Sequence, residues 1–166
     1  MKLINWAFGF DLKDTQRNLA VYIYQKNGYI PEYATDGSAG VDIRADLGDE
    51  INSVIIKPHQ MLSIQTGLHM EIPFGYAGFI FSRSGLSSAG VILMNGVAVI
   101  DSDYRGAVQV PLINMSDNEV TIKNGERIAQ LLLIPVALIE CLSVENVNML
   151  TPTVRGNNGF GSTGRN

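Results

Sequence analysis

Apolar residues in this chain come in short bursts, and turn residues follow each one. From Leu19 onward such runs occupy residues 20–24, 41–43, 54–56, 61–64, 68–72, 77–81, 91–93, 97–100, 107–115, 119–122, 128–134 and 138–144. Runs of this length, alternating or wholly apolar and bounded by Gly, Pro, Asn and Asp, predict strands. Seventeen glycines and six prolines punctuate the series. The expected architecture is therefore all-β, a jelly roll or distorted β-barrel with many tight turns. Helix has room in one place only, a short piece opened by Ser84, running through Leu86, Ser87 and Ser88 and closed by Gly90.

A chain of 166 residues fits one domain and buries about two thirds of its unfolded surface. The β domain is expected over residues 19–150. Residues 1–18 mix Trp6, Phe8 and Phe10 with charged residues in no sustained period. They read as an appended extension packing on the domain or on a protein partner, or as a disordered leader. Residues 151–166 are poor in hydrophobes and rich in glycine, which predicts a mobile C-terminal arm that orders on a ligand or partner.

A net charge of −4 and a pI near 5.1 argue against stable nucleic-acid binding. Any nucleotide handled here would occupy a small pocket. No run spans a bilayer and no signal peptide is apparent, so the expectation is a soluble cytoplasmic protein with no membrane partner. The one cysteine, Cys141, falls in a strand-like run and reads as a small buried hydrophobe. His59 and His69 have no metal-ligating neighbours at suitable spacing and read as structural or surface residues.

Polar chemistry gathers at strand ends. Residues 96–106 form an apolar strand that delivers Asp101, Ser102, Asp103, Tyr104 and Arg105 to the tip of an expected β-hairpin. Such a string taken alone is an ordinary Asp/Ser turn; the other clusters give it weight. Arg83, Ser84 and Gly85 open the short helix, whose free N–H groups suit an anion, although a Ser in Ser84's position, taken by itself, is far more often just an N-cap.

In the tail, Gly159, Gly161 and Gly164 make a GxGxxG string outside any βαβ unit, so a dinucleotide fold is excluded. What remains is a possible anion nest, with Arg155, Ser162 and Thr163 adding donors. A floppy terminus explains the same composition. Asp42 and Asp101 are separated carboxylates, and together with several phosphate-binding groups they point to magnesium-assisted attack of water on a phosphate ester or anhydride. Gln130 interrupts an apolar strand and needs a partner, either a backbone group or a ligand.

Five segments in order resemble the five motifs of the trimeric dUTPase family: AGVDIRAD from Ala39, SRSGLSS from Ser82, GVAVIDSDYRG from Gly96, GERIAQL from Gly125 and RGNNGFGSTG from Arg155. The resemblance implies a jelly-roll subunit of a homotrimer with shared active sites. It also implies Mg²⁺-dependent cleavage of dUTP into dUMP and pyrophosphate, which limits uracil incorporation into DNA.

By the same resemblance Asp101 is the general base, and Asp42 holds Mg²⁺ through water. Arg83, Ser84, Gly85 and Gln130 bind phosphates. Asn95, with the backbone of Val99, Ile100 and Gln109, reads uracil and sugar, while Tyr104 packs under the deoxyribose. Arg155, Gly161, Ser162 and Thr163 hold the outer phosphates, and Phe160 stacks on the base. Two features depart from the family pattern: Asn158 stands where glycine is usual, and residues 1–18 are extra. Two alternatives stand beside this reading. One is a dCTP deaminase-like enzyme of the same superfold, disfavoured because the turn offers Asp101 and Asp103 and no glutamate. The other is a dUTP-responsive binding or regulatory protein.

Overall fold

A computed structural model describes residues 21–159, and among them are twelve β-strands and one short α-helix. The strands are β1 (Tyr22–Gln25), β2 (Glu32–Tyr33), β3 (Val41–Arg44), β4 (Ser53–Ile56), β5 (Met61–Gln65), β6 (Leu68–Glu71), β7 (Tyr76–Ser82), β8 (Val91–Leu93), β9 (Ala98–Ile100), β10 (Gln109–Asn114), β11 (Val120–Lys123) and β12 (Arg127–Pro135), with α1 (Ser84–Ser88) between β7 and β8. All the pairings are antiparallel. The largest sheet has the order β2-β3-β12-β7-β9, a second has β5-β10-β8, and β1-β6 and β11-β4 form two-stranded ribbons. The all-β expectation is met, with the expected helix in place.

Alternation explains how these sequences become faces. In β10, Val110, Leu112 and Asn114 point inward while Gln109 stays exposed, the period of two that a half-buried strand requires. Ile43, Ile64, Ile80, Leu93, Leu112 and Ile128 are each almost wholly buried in one core. At about 1.5–3 kcal/mol for each fully buried aliphatic side chain, such residues supply the main driving force for collapse. Buried polar groups are partnered. Asn114 donates from Nδ2 to the carbonyls of Ile56 (2.9 Å) and Asn118 (2.7 Å), and Gln25 donates to the carboxylate of buried Asp46 (2.9 Å).

Helix α1 ends where the sequence directs it to end. Gly90 has φ +85°, the left-handed conformation that terminates helices and that glycine adopts without strain. The N-cap residue is Arg83 and not Ser84, and no side chain caps the helix. Leu86 anchors the turn by burial.

Two expectations need correction, and one strand carried no signal in the sequence. Residues 138–144 form no strand, because no strand among the described residues pairs with them, and an extended segment without a ladder leaves its backbone to solvent. Cys141 within that segment is exposed, not buried. The short strand Glu32–Tyr33 escaped the pattern because both residues are exposed and no alternation marks them.

The chain divides into two compact units, one ending at Val136 and the other beginning at Ala137. Every strand among the described residues lies in the first. In the second, Val147–Met149 form a 3₁₀ turn whose preceding Asn146 accepts a hydrogen bond from the Asn148 N–H. Farther on, the amides of Gly156 and Asn158 donate to the carbonyls of Thr153 and Arg155, each at 3.1 Å.

Candidate functional site

Asp42 lies on β3, directly opposite Gln130 of β12, and its side chain is only 12% exposed. Two guanidinium groups compensate this buried charge. Arg83 Nε lies 2.7 Å from Oδ1, and Arg127 Nη1 lies 3.1 Å from Oδ2. Paired and hydrogen-bonded, the carboxylate avoids the cost of burying a lone charge. Arg83 also donates to the Arg127 carbonyl at 3.3 Å, so the two arginines and Asp42 form one linked group. Gln130 donates from Nε2 to the Ser82 carbonyl at 3.1 Å, which supplies the partner its position demanded, a backbone group.

Arg127 was not among the residues singled out from the sequence, and a bulge explains how it arrives here. Between Arg127 and Ala129 the register of β12 against β3 shifts, so that Arg127 stands opposite Arg44 while Ala129 stands opposite Ile43. The extra residue is Ile128, and both Ile128 and Ala129 are fully buried. With an unbroken alternation Arg127 would face the core; the bulge turns it to the face that carries Asp42. The visible signal was the adjacent apolar pair in Arg127-Ile128-Ala129-Gln130, which breaks the period of two.

Beside Ser82 and Gln130 lies an open hollow of about 520 Å³, lined also by Ala39, Phe81, Gly96 and Leu132. Ser84 and Gly85 are exposed beside it in sequence. The first helical hydrogen bond of α1 runs from Ser87 N to Arg83 O, which leaves the amides of residues 84–86 without helical acceptors.

The segment carrying Asp101 is not the tip of a closed hairpin. Its two arms are paired at their base, where β8 meets β10 and Met94 N donates to Pro111 O at 2.9 Å. Beyond that point they part. β9 joins the edge of the large sheet through β7, whereas Gln109 of β10 pairs with Gln65 of β5. No backbone hydrogen bond joins β9 to β10 among the described residues. The opening between the parted strands is edged by Val99 and Ile100 of β9 and by Gln109 of β10, with Asn95 in the turn before β9, and neither facing edge has a strand partner among the described residues.

The connection across the cleft is tightly tied. Tyr104 N donates to Asp101 O at 3.2 Å, and the Tyr104 hydroxyl donates to Ala107 O at 3.0 Å. The Tyr104 ring lies against Gly106, where a Cβ atom would fall on the ring itself. Asp101 is exposed and makes no ion pair among those the described residues form. Its carboxylate is therefore available to a water molecule or substrate.

The two groups lie far apart along one strand. Ile100 pairs with Gly78, so Asp101 leaves the ladder level with Ala77, whereas Arg83 follows the last residue of β7. At a rise of about 3.3 Å per residue, the six steps from Ala77 to Arg83 span about 20 Å. Of the tail residues singled out from the sequence, Arg155 accepts the turn bond from Asn158, and Phe160, Gly161, Ser162 and Thr163 lie outside the described residues, as do residues 1–18.

No three His, Cys, Asp or Glu side chains among the described residues converge as a metal centre. The donor set thus does not fit a cation held by protein ligands alone. It does fit Mg²⁺ in its usual nucleotide-bound form, which keeps several waters and takes phosphate oxygens with one or two carboxylates. Asp42, with two of its lone-pair directions taken by arginine, has others left to accept from metal-bound water.

The dUTPase family model matches residues 26–164 of the chain. Among curated proteins, the deoxyuridine 5′-triphosphate nucleotidohydrolase of Desulfitobacterium hafniense (strain DSM 10664 / DCB-2) is 47% identical over 137 residues, covering 81% of this chain and 87% of that protein. The protein of the same name from Hydrogenobaculum sp. (strain Y04AAS1) is 41% identical, with 88% and 97% covered. Among solved structures, the Staphylococcus bacteriophage 80alpha dUTPase with dUPNHPP superposes with a TM-score of 0.76 at 28% identity, covering 89% of this chain and 99% of that one. An all-β fold with matching motifs and relatives matched over most of their length leaves one assignment: this chain belongs to the dUTPase family.

Proposed function

We propose that this chain hydrolyses dUTP to dUMP and pyrophosphate, as a cytoplasmic homotrimer whose active sites draw on more than one chain. One observation carries the shared-site reading: the Asp101 cleft and the arginine group stand about 20 Å apart along β7. A nucleotide seated with its base at Asn95 and Gln109 runs its sugar toward Tyr104 and its α-phosphate toward Asp101. The Arg83 of the same chain is then out of reach, and the arginine group of a neighbouring chain completes the site. The outer face of the β5-β10-β8 sheet supports association, since Met61, Ile92, Met94 and Met115 are exposed there or at its ends, and contiguous apolar surface marks an interface.

In this reading the backbone of Val99, Ile100 and Gln109, with Asn95, reads the uracil edge, and Tyr104 supports the deoxyribose. Asp101 accepts a proton from the water that attacks the α-phosphorus. Arg83, the amides at Ser84 and Gly85, and Gln130 bind the phosphates. Arg155, Gly161, Ser162 and Thr163 hold the outer ones, with Phe160 closing over the base. Mg²⁺, kept through water by Asp42, would supply neutralisation of phosphate charge when bound. Everything else is positioning and preorganised charge, the usual main contributions in phosphoryl chemistry. Family membership favours this hydrolysis over dCTP deamination.

The direct test measures pyrophosphate and ammonia release across dUTP, dCTP, dTTP and UTP with Mg²⁺ present, alongside the mass of the assembly in solution. The expected result is pyrophosphate from dUTP in strong preference, with no ammonia from dCTP, by a trimer. Equal turnover of all four nucleotides, or ammonia from dCTP, would refute the assignment, and a fully active monomer would refute the shared site.

A further inference from the structure

The β1-β6 ribbon presents Tyr22 and Tyr24 opposite Glu71 and His69 in register. The imidazole of His69 leans on the Tyr24 ring, with centroids 5.8 Å apart and planes tilted by 55°. Its Nδ1 lies 2.8 Å from the carbonyl oxygen of Arg105. A carbonyl only accepts, so Nδ1 carries the proton and donates. The guanidinium of the same Arg105 donates from Nη1 to Ser102 O at 2.7 Å and Tyr104 O at 3.0 Å, and its Nη2 lies 4.0 Å from Glu71. Arg105 is thereby held at its carbonyl by His69 and near its guanidinium by Glu71, while its side chain staples the turn between Asp101 and Gly106.

We propose that His69, backed by Tyr24, is a positioning residue for hydrolysis: by gripping the Arg105 carbonyl it fixes the turn that sets Asp101 and Tyr104 against substrate. The proposal rests on the reading of Asp101 and Tyr104 given above. A purely architectural role accounts poorly for this arrangement. The ribbon is joined by its own backbone ladder, and His69 is absent from the buried core. What its ring does reach is the connection that carries Asp101 and Tyr104 from β9 in the large sheet to β10 in the three-stranded sheet. Small displacements of a catalytic carboxylate cost rate far more than they cost stability.

Two variants separate these roles, His69→Ala and His69→Asn, because the Asn amide N–H can donate close to where imidazole Nδ1 does. With dUTP and Mg²⁺, H69A is expected to lower kcat about tenfold, with KM changed less than about threefold. H69N is expected to return kcat to within about threefold of wild type, both variants melting within about 4 °C of it. In nucleotide-free protein, amide hydrogen exchange across residues 102–106 should quicken in H69A and slow again in H69N. An H69A enzyme with kcat within about twofold of wild type would overturn the proposal, as would an H69N enzyme no faster than H69A. Unchanged exchange in H69A would overturn the grip on the turn whatever the kinetics. A wild-type protein that releases no pyrophosphate from dUTP would instead refute the functional assignment, and with it the catalytic half of this proposal.

Discussion

Mixing two defective chains tests the division of the site most directly. Asp101→Asn removes the carboxylate at one end of β7, and Arg83→Ala removes a guanidinium at the other, about 20 Å away by strand rise. In the proposed trimer, either variant alone leaves every site lacking a part. Suppose each site takes Asp101 from one chain and Arg83 from a neighbour, and the two variants assemble at random in equal amounts. A site is then whole when its first contributor is the R83A chain and its second the D101N chain, one half times one half, or about one site in four. Co-refolded mixtures should therefore release pyrophosphate from dUTP at about a quarter of the wild-type rate per chain. Chains with different tags let mixed assemblies be purified away from the two parental ones; each mixed trimer, whichever variant is in the majority, then has one whole site in three, and its rate should rise to about a third of wild type. If the site is built within one chain, no arrangement of these variants restores it, and mixed trimers with only the sum of the parental activities would refute the reasoning.

Other consequences are narrower. Asp101→Asn alone should lower kcat by about 10²–10⁴-fold while dUTP still binds, read by steady-state kinetics and calorimetry, since the amide keeps its size but takes no proton. Arg127→Met removes one of the two partners of Asp42; with Arg127 nearly half exposed, the loss is about 1 kcal/mol after solvent screening, or about 2–4 °C in Tm by thermal melting. Gly106→Val places a branched side chain where the Tyr104 ring lies, so the ring must move, and the preference for dUTP over UTP should fall at least about tenfold in competition kinetics.

The sequence disclosed the β architecture because alternation and turn chemistry are local. Eleven of the twelve strands carry enough apolar residues to be seen as runs. The run from Leu138 failed because hydrophobicity makes a strand only when another edge is present to pair with it, and the described residues offer none. Arg83 and Asp101 are legible as polar residues at strand ends, and Asp42 as an acid flanked by apolar strand residues. Arg127 was hidden by a register shift of a single residue, which no local propensity encodes. The hairpin around Asp101 was read as closed because its two arms are contiguous in sequence and both apolar; which sheet each joins is decided by β7 and β5, both earlier in the chain. His69 looked inert for the same reason, since its partner is the carbonyl of a residue 36 positions away.

If the parted arms of β9 and β10 read the base as proposed, they carry a consequence for how base selectivity can change over generations. The groups bordering that cleft are largely peptide N–H and C=O, which every residue except proline presents alike. Substitution at Val99, Ile100 or Gln109 can alter packing and solubility without rewriting the pattern of donors and acceptors. A reader made of main chain is thus insulated from most point mutations, in contrast to one built from side chains. It can drift widely in sequence while its chemical preference stays fixed.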